Sequence, residues 1–293
     1  MKVLVTGAAG MLGHALMSQT QPHQEVVGAT RKDADLCDAQ AVNGLLKAHH
    51  PAVVVHAAAY TDVDGCETDP QRAWQNNAQA TLHVAQACKD VEAIMVFIST
   101  DYVFDGSKVK PYVEEDVTNP INVYGQTKLR GEQYVQQTLD RYLIIRTSWV
   151  YGPYGKNFVD TIRRAATERS ELRVVNDQRG SPTYTMHLAA TIGRLVARGQ
   201  RGLFHVTGSG ECTWFEFSRA IMELSAPGRV RVLPVPSSEF PRPARRPANS
   251  VLDTSRLAHA GFDQLPTWQD ALAEYLGIAG LPVGQMPLAQ KRL

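Results

Sequence analysis

An α/β protein built on a parallel sheet is the fold that this sequence predicts, and three observations carry the prediction. Short apolar runs alternate with longer helical patterns through the first half of the chain, as crossovers between parallel strands require. The runs are continuous in Val, Ile and Leu, the mark of strands covered on both faces. Three evenly spaced glycines stand directly after the first run, where a strand turns into a helix. With 293 residues, 44% of them hydrophobic, the chain is long enough for one large domain and a smaller companion.

The first strand, Lys2 to Thr6, leads into TGAAGMLG, which holds Gly7, Gly10 and Gly13 and, between the last two, Met11 and Leu12. Small residues at such a turn let the backbone approach a pyrophosphate, whose charge the helix N-terminus stabilises. Any tight strand-to-helix turn also favours glycine. The place after the first strand of an α/β chain favours a dinucleotide site, and with it a Rossmann-type doubly wound sheet. The second strand, Glu25 to Thr30, ends in GATRKDADL, where an NAD site would normally hold the ribose with an Asp or Glu. Thr30, Arg31 and Lys32 suit a 2'-phosphate instead, so NADPH is favoured and NADH remains possible. On this reading Asp35 and Leu36 flank the adenine. The third strand, Ala52 to Ala57, supplies Ala57, Ala58 and Ala59 along the cofactor's far side.

A helical stretch from Pro70 to Lys89 leads to the fourth strand, Ala93 to Ser99, and then to STDYVF. Thr100 therefore stands at the C-terminal edge of the sheet, where open parallel sheets bind ligands. The next helix, Val123 to Thr138, begins VYGQTKLRGE, and its Tyr124 and Lys128 share a face because they are four residues apart. An ammonium beside a phenol favours phenolate, so the lysine is expected to bring the tyrosine's proton affinity toward neutrality, with Thr100 holding the substrate oxygen. A fifth strand, Tyr142 to Thr147, closes the series.

These elements place a dinucleotide-binding domain over 1–150, completed by elements within 184–206, and a mainly substrate-binding domain over 151–293. The later part contains helices at Phe158 to Glu168 and His187 to Arg198 and a strand at Gly202 to Val206. The latter half of APGRVRVLPVPSSEFPRPARRPANS, dense in proline and arginine, reads as a loop over a site or surface. Residues 280–293 read as a disordered tail.

A formal net charge of +1, with no cluster of Lys and Arg among aromatics, argues against nucleic acid and for a small-molecule partner. No apolar run reaches the roughly 20 residues of a membrane span, and no charged leader precedes the first strand, so a cytoplasmic protein is expected. Cys37, Cys66, Cys88 and Cys212 are far apart and read as free thiols. Glu114 to Asp116 reads as a solvated turn. His14, His49 and His50 lack partners of the metal-ligating kind.

The glycine triplet, the threonine after the fourth strand and Tyr-x-x-x-Lys together resemble the extended short-chain dehydrogenase/reductase family. AAAYTDVDGCE, STDYVFDG, YGQTKLRGE, TSWVYGPYGKNFV, DQRGSPTY and RPANSVLD narrow the resemblance to the dTDP-4-dehydrorhamnose reductase family, over residues 57–253. That resemblance implies NAD(P)H-dependent reduction of the C4 ketone of a nucleotide-linked 6-deoxysugar, dTDP-4-dehydro-L-rhamnose above others. Tyr124 would then protonate the new alkoxide and Lys128 hold the nicotinamide ribose. It also nominates Trp149, Asn157 and Arg246 as sugar-nucleotide contacts. Each has a plain structural reading as well: an aromatic in a core, a helix cap and a solvated charge.

Some relatives carry a glutamate after the last glycine for a metal-bridged dimer, whereas this chain has His14 and Ala15. No metal site, and a monomer or weak homodimer, are therefore expected. Two rivals share the scaffold: a non-catalytic regulatory subunit resembling the beta subunit of methionine adenosyltransferase, and a GDP-sugar reductase. Nucleotide-sugar 4,6-dehydratases also resemble this chain, but they read Thr-Asp-Glu where it reads Thr100, Asp101 and Tyr102.

Overall fold

The structure is a computed structural model that describes residues 1–19 and 24–277, so the tail expected over 280–293 lies outside the described residues. Strands form where the apolar runs predict them: β1 at Lys2–Thr6, β2 at Glu25–Ala29, β3 at Val53–His56, β4 at Ile94–Thr100 and β5 at Tyr142–Thr147. The strand Gly202–His205 pairs with β5, giving a parallel sheet in the order Gly202–His205, β5, β4, β3, β1, β2. The chain steps from β1 outward to β2 and then returns to β3 on the other side. A crevice therefore opens over the C-terminal ends of these strands, at the switch point. β2 stops one residue short of the expected Thr30, whose backbone N–H and hydroxyl both donate to the Asp33 carboxylate at 2.8 Å and turn the chain.

Successive strand residues face opposite cores, which explains the continuous apolar runs. Val5, Val55, Val96 and Ile145 meet Leu188 and Ile192 of the Thr185–Ala197 helix, while Leu4, Val54, Met95 and Ile144 meet Val84, Cys88 and Val135. One charged pair crosses this interior. Glu132 accepts from Arg146 Nε at 2.9 Å and Nη2 at 2.7 Å, and also from the Ser99 hydroxyl.

The stretch expected as one helix from Pro70 to Lys89 is α-helical at Pro70–Ala73 and Ala80–Asp90, with a π turn at Trp74–Gln79 between them. Such turns frequently mark functional positions. Here the π turn holds the buried Asn77, which accepts from Tyr60 N–H at 2.7 Å and donates to Tyr60 O at 3.0 Å and to the Thr127 hydroxyl at 3.1 Å. One amide thus ties the loop after β3 to the helix Val123–Thr138.

A second core gathers Tyr151, Val159, Phe217 and Leu272 from the later part of the chain, beside a parallel strand pair, Glu171–Val175 and Arg231–Val235. The proline- and arginine-rich segment contributes the second of these strands. Its latter half is pinned by Asp64, which takes Arg242, Arg246 and the Ala244 N–H. The acidic run departs from the expected solvated turn. The Glu114 side chain is only 4% exposed and accepts the His205 N–H at 2.9 Å, because that edge of the sheet offers an unpaired donor. All four cysteines are free thiols. Among the described residues no helix is long and apolar enough to cross a membrane.

Candidate active site

Two adjoining cavities lie at the C-terminal ends of the central strands. The first, about 600 Å³, is lined by Gly7, Arg31, Asp35, Leu36 and Ala58, with Asn76 from the π turn. The second, about 460 Å³, is lined by Met11, Leu12, Gly13, Thr100, Tyr124, Lys128 and Trp149. Gly10, Ala57 and Ala59 line both.

The glycine turn has the shape that a dinucleotide requires. Gly7 has φ +71°, and a Cβ there would lie 2.6 Å from Ala58 N; a Cβ on Gly13 would collide with the Gly7 carbonyl. The turn thus closes on itself and brings the N-terminus of the helix Met11–Ser18 to the wall of both cavities. At the other end of the first cavity Arg31 and Lys32 have no ion-pair partner among the described residues, since Asp33 is taken by Thr30. Two uncommitted cations fit a 2'-phosphate.

Local structure explains how Tyr124 reaches Thr100. Asn122 caps the helix Val123–Thr138 by accepting from Gly125 N–H at 2.8 Å, and Glu67 accepts the Val123 N–H at 2.7 Å. Gly125 lies so close to the Tyr102 carbonyl that any Cβ would strike it. The first turn of the helix therefore rests on the turn that follows β4. Thr100 donates to Asp101 Oδ1 at 2.9 Å and accepts from Tyr102 N–H at 3.2 Å.

The electrostatics differ from the sequence argument in one respect. Burial pushes the Tyr124 phenol well above its usual value, Asp101 adds to the rise, and hydrogen bonding from Thr100 opposes it. Lys128 does not win this contest, because burial depresses the lysine itself to about 7 against the pull of Glu132. Its Nζ sits 4.2 Å from the centre of the Phe97 ring and has no carboxylate partner among the described residues. Tyr124 therefore keeps its proton at neutral pH, the state that a proton donor needs.

Trp149 lines the second cavity at φ +46° and stacks face to face on Trp214, ring centroids 3.4 Å apart. Asn157 lines neither cavity. Its side chain caps the helix Phe158–Glu168 and donates to Gly152 O at 2.9 Å and to the Tyr275 hydroxyl at 3.1 Å, so its amide is spent within the fold. Arg246 also lines neither cavity; it pairs with Asp64 and faces the Tyr102 phenol, which does line the second.

Sequence reasoning missed Asn77, Trp214 and Lys156, the last a cavity-lining cation. Thr213 and Glu216 form a capping box that announces a helix start, but nothing in the spacing ties Trp214 to Trp149. His14 stacks on Tyr154 and Ala15 is fully buried. Among the described residues no group of three or more His, Cys, Asp or Glu side chains is placed to hold a metal.

A family model described as the RmlD substrate binding domain matches residues 1–279. The dTDP-4-dehydrorhamnose reductase of Burkholderia thailandensis is 41% identical over 288 residues, 93% of this chain and 97% of that protein. The chain belongs to the dTDP-4-dehydrorhamnose reductase family. A second relative in sequence, the dTDP-4-keto-6-deoxy-D-glucose reductase of Streptomyces niveus, is 41% identical over 275 residues, 92% of this chain and 95% of that one. The crystal structure of the Bacillus anthracis dTDP-4-dehydrorhamnose reductase in complex with NADP superposes with a TM-score of 0.91 at 40% identity, covering 94% of this chain and 98% of that one. The doubly wound α/β fold of this family is the one described above.

Proposed function

We propose that this chain is an NADPH-dependent oxidoreductase that reduces the C4 ketone of a dTDP-linked 4-keto-6-deoxysugar, with dTDP-4-dehydro-L-rhamnose as substrate and dTDP-L-rhamnose as product. NADH is a possible second cofactor. The observation that carries the reading is the meeting of Thr100, Tyr124 and Lys128 in one cavity that continues into the glycine cradle. Family membership favours this enzyme over a regulatory subunit or a GDP-sugar reductase.

When bound, the cofactor supplies a hydride. The Thr100 hydroxyl holds the ketone oxygen, and Tyr124 gives its Oη proton to that oxygen as charge develops there. Lys128, lacking an anion of its own, donates to a ribose hydroxyl and holds the cofactor's reactive end beside the ketone. Trp149 and Trp214 offer flat apolar faces to the sugar nucleotide, and Arg246 acts on the same space through Tyr102. Asn157 stays with the fold on this reading. We assign residues 1–150, completed by elements within 184–206, to dinucleotide binding and residues 151–293 mainly to the sugar nucleotide, in a cytoplasmic monomer or weak homodimer that uses neither nucleic acid nor a membrane.

The test is to follow NADPH with a dTDP-4-keto-6-deoxysugar and, separately, with dTDP-glucose. Reduction needs only a donor for the alkoxide. Dehydration needs a base for the C5 proton, and Tyr102 in the dehydratase glutamate's place is a half-buried neutral phenol pushed further from ionisation by desolvation and by Asp101. Stoichiometric loss of NADPH with the keto sugar, and no reaction of dTDP-glucose, is expected. A 4-keto product from dTDP-glucose with no net change in cofactor would overturn the assignment.

Cofactor choice has its own test. Arg31→Ala is expected to weaken NADPH far more than NADH, since only the former carries the phosphate that this exposed guanidinium meets. Equal losses in a fluorescence titration would release Arg31 from that role.

A further inference from the structure

We propose that Asp101 is a proton reservoir for this site, resupplying Tyr124 through the Thr100 hydroxyl; the proposal rests on the reductase reading above. Asp101 follows directly on β4, is 3% exposed and forms part of the wall of the second cavity. Its Oδ1 lies 2.9 Å from Thr100 Oγ1, and the same hydroxyl faces the Tyr124 phenol closely enough to favour its ionisation; when Asp101 carries the proton, Oδ1–H donates along this contact and the Thr100 hydroxyl proton is free to point at Tyr124. Three oxygens, from a carboxyl, an alcohol and a phenol, thus form one chain that ends where the ketone oxygen is reduced. Neither Thr100 nor Tyr124 alone explains why a carboxyl should be enclosed at the far end.

The surroundings decide its charge. Tyr102 faces Asp101 from its own turn and Tyr124 from the helix Val123–Thr138. Ser250 faces it from the loop, while Arg246 of the same loop is committed to Asp64 and to the Tyr102 phenol. Among the described residues Asp101 forms no ion pair, and its Oδ2 makes no close hydrogen bond, the nearby Ser250 hydroxyl offsetting burial only in part. A bare carboxylate oxygen in that position costs far more than a neutral acid. Burial accordingly pushes the Asp101 carboxyl up to about 7, and it holds a proton through the acid half of the physiological range.

The transfers balance. As hydride from the nicotinamide forms the new C4–H bond, the alkoxide takes the Tyr124 proton. The phenolate then takes the Thr100 hydroxyl proton, and Thr100 Oγ1 takes the proton from Asp101 Oδ1. The last transfers run downhill, because a carboxylic acid near neutrality is much stronger than a phenol raised above its usual value. Asp101, now a carboxylate, recovers a proton from solvent that enters the cavity after product leaves.

Asp101→Asn keeps the shape and the oxygen that faces Thr100 but has no proton to give. With saturating NADPH and dTDP-4-keto-6-deoxysugar, its kcat is expected to fall roughly tenfold with KM little changed, less than the loss from removing a direct donor. Wild-type kcat should fall as pH rises through about 7, where Asp101 and Lys128 both titrate. In the variant that limb should be shallower by one proton, leaving the lysine alone. Profiles that superimpose after scaling would overturn the relay.

Unfolding measurements test the charge state without any turnover. A folded value near 7 above an ordinary 3.8 means that Asp101 contributes most stability below 3.8 and loses it as pH rises through about 7. The asparagine variant, neutral throughout, should therefore gain stability relative to wild type over that window. Parallel stability curves for the two proteins would mean that Asp101 is ionised in the fold, and the proposal would fail. Absence of turnover in the wild type, with diverging stability curves, would instead sink the reductase reading and leave the buried acid in place.

Discussion

Tyr124→Phe is expected to lower turnover by about 10²-fold or more while leaving cofactor affinity near that of the wild type. The substitution removes one oxygen and keeps the ring. Its edge-on contact with Tyr102, ring centroids 6.0 Å apart, and the capped first turn of the helix should both survive. What disappears is the only group in the proposed scheme that hands a proton to the alkoxide, so the loss should fall on kcat. Stopped-flow measurement of NADPH oxidation, paired with a binding titration, separates the two. Near wild-type turnover would return Tyr124 to a purely structural role.

Glu132→Gln is expected to cost about 3–5 kcal/mol of stability, the usual penalty for removing one partner of a buried ion pair. Arg146 and Glu132 are 4% and 2% exposed, and Arg146 Nη1 already lacks a hydrogen-bond partner. A neutral amide leaves the guanidinium charge facing little but the Phe104 ring, 5.1 Å from its centre. The same change withdraws the pull that Glu132 exerts on Lys128, so the ammonium should lose its proton at lower pH still. Adding Arg146→Met should recover much of the stability, because a pair of uncharged side chains leaves no stranded charge. Urea unfolding of the single and double variants checks both statements, and an unchanged midpoint in the single variant would contradict the first.

The sheet was legible because strands covered on both faces must be apolar at nearly every position, and Lys2–Thr6 and Tyr142–Thr147 form as expected to the residue. That Thr100, Tyr124 and Lys128 would meet was legible for a related reason: a helical spacing and a strand end fix where side chains point, and all three line one cavity. Sequence is poor at saying what a polar group is already doing. The Asn157 amide, nominated for the sugar nucleotide, bonds Gly152 O and caps a helix in the structure, partners that its place in the sequence does not announce. The solvated turn expected at Glu114 failed because a sheet edge distant in sequence claims that carboxylate. Desolvation is equally invisible in a linear chain, so the effect of Lys128 on Tyr124 was read as a neighbouring charge when burial of both outweighs it.

The π turn at Trp74–Gln79 makes the Pro70–Asp90 segment a rotary coupling between two fixed requirements. On its one side Asn77 must face Tyr60 and Thr127; on the other, Val84 and Cys88 must face the sheet. A plain α-helix advances about 100° per residue, so removing one residue from the turn would rotate one group away by about that angle. Many side chains in this stretch are exposed and replaceable, yet its length is not. The segment should accept substitution and reject single-residue insertion or deletion, a tolerance pattern opposite to that of ordinary surface loops.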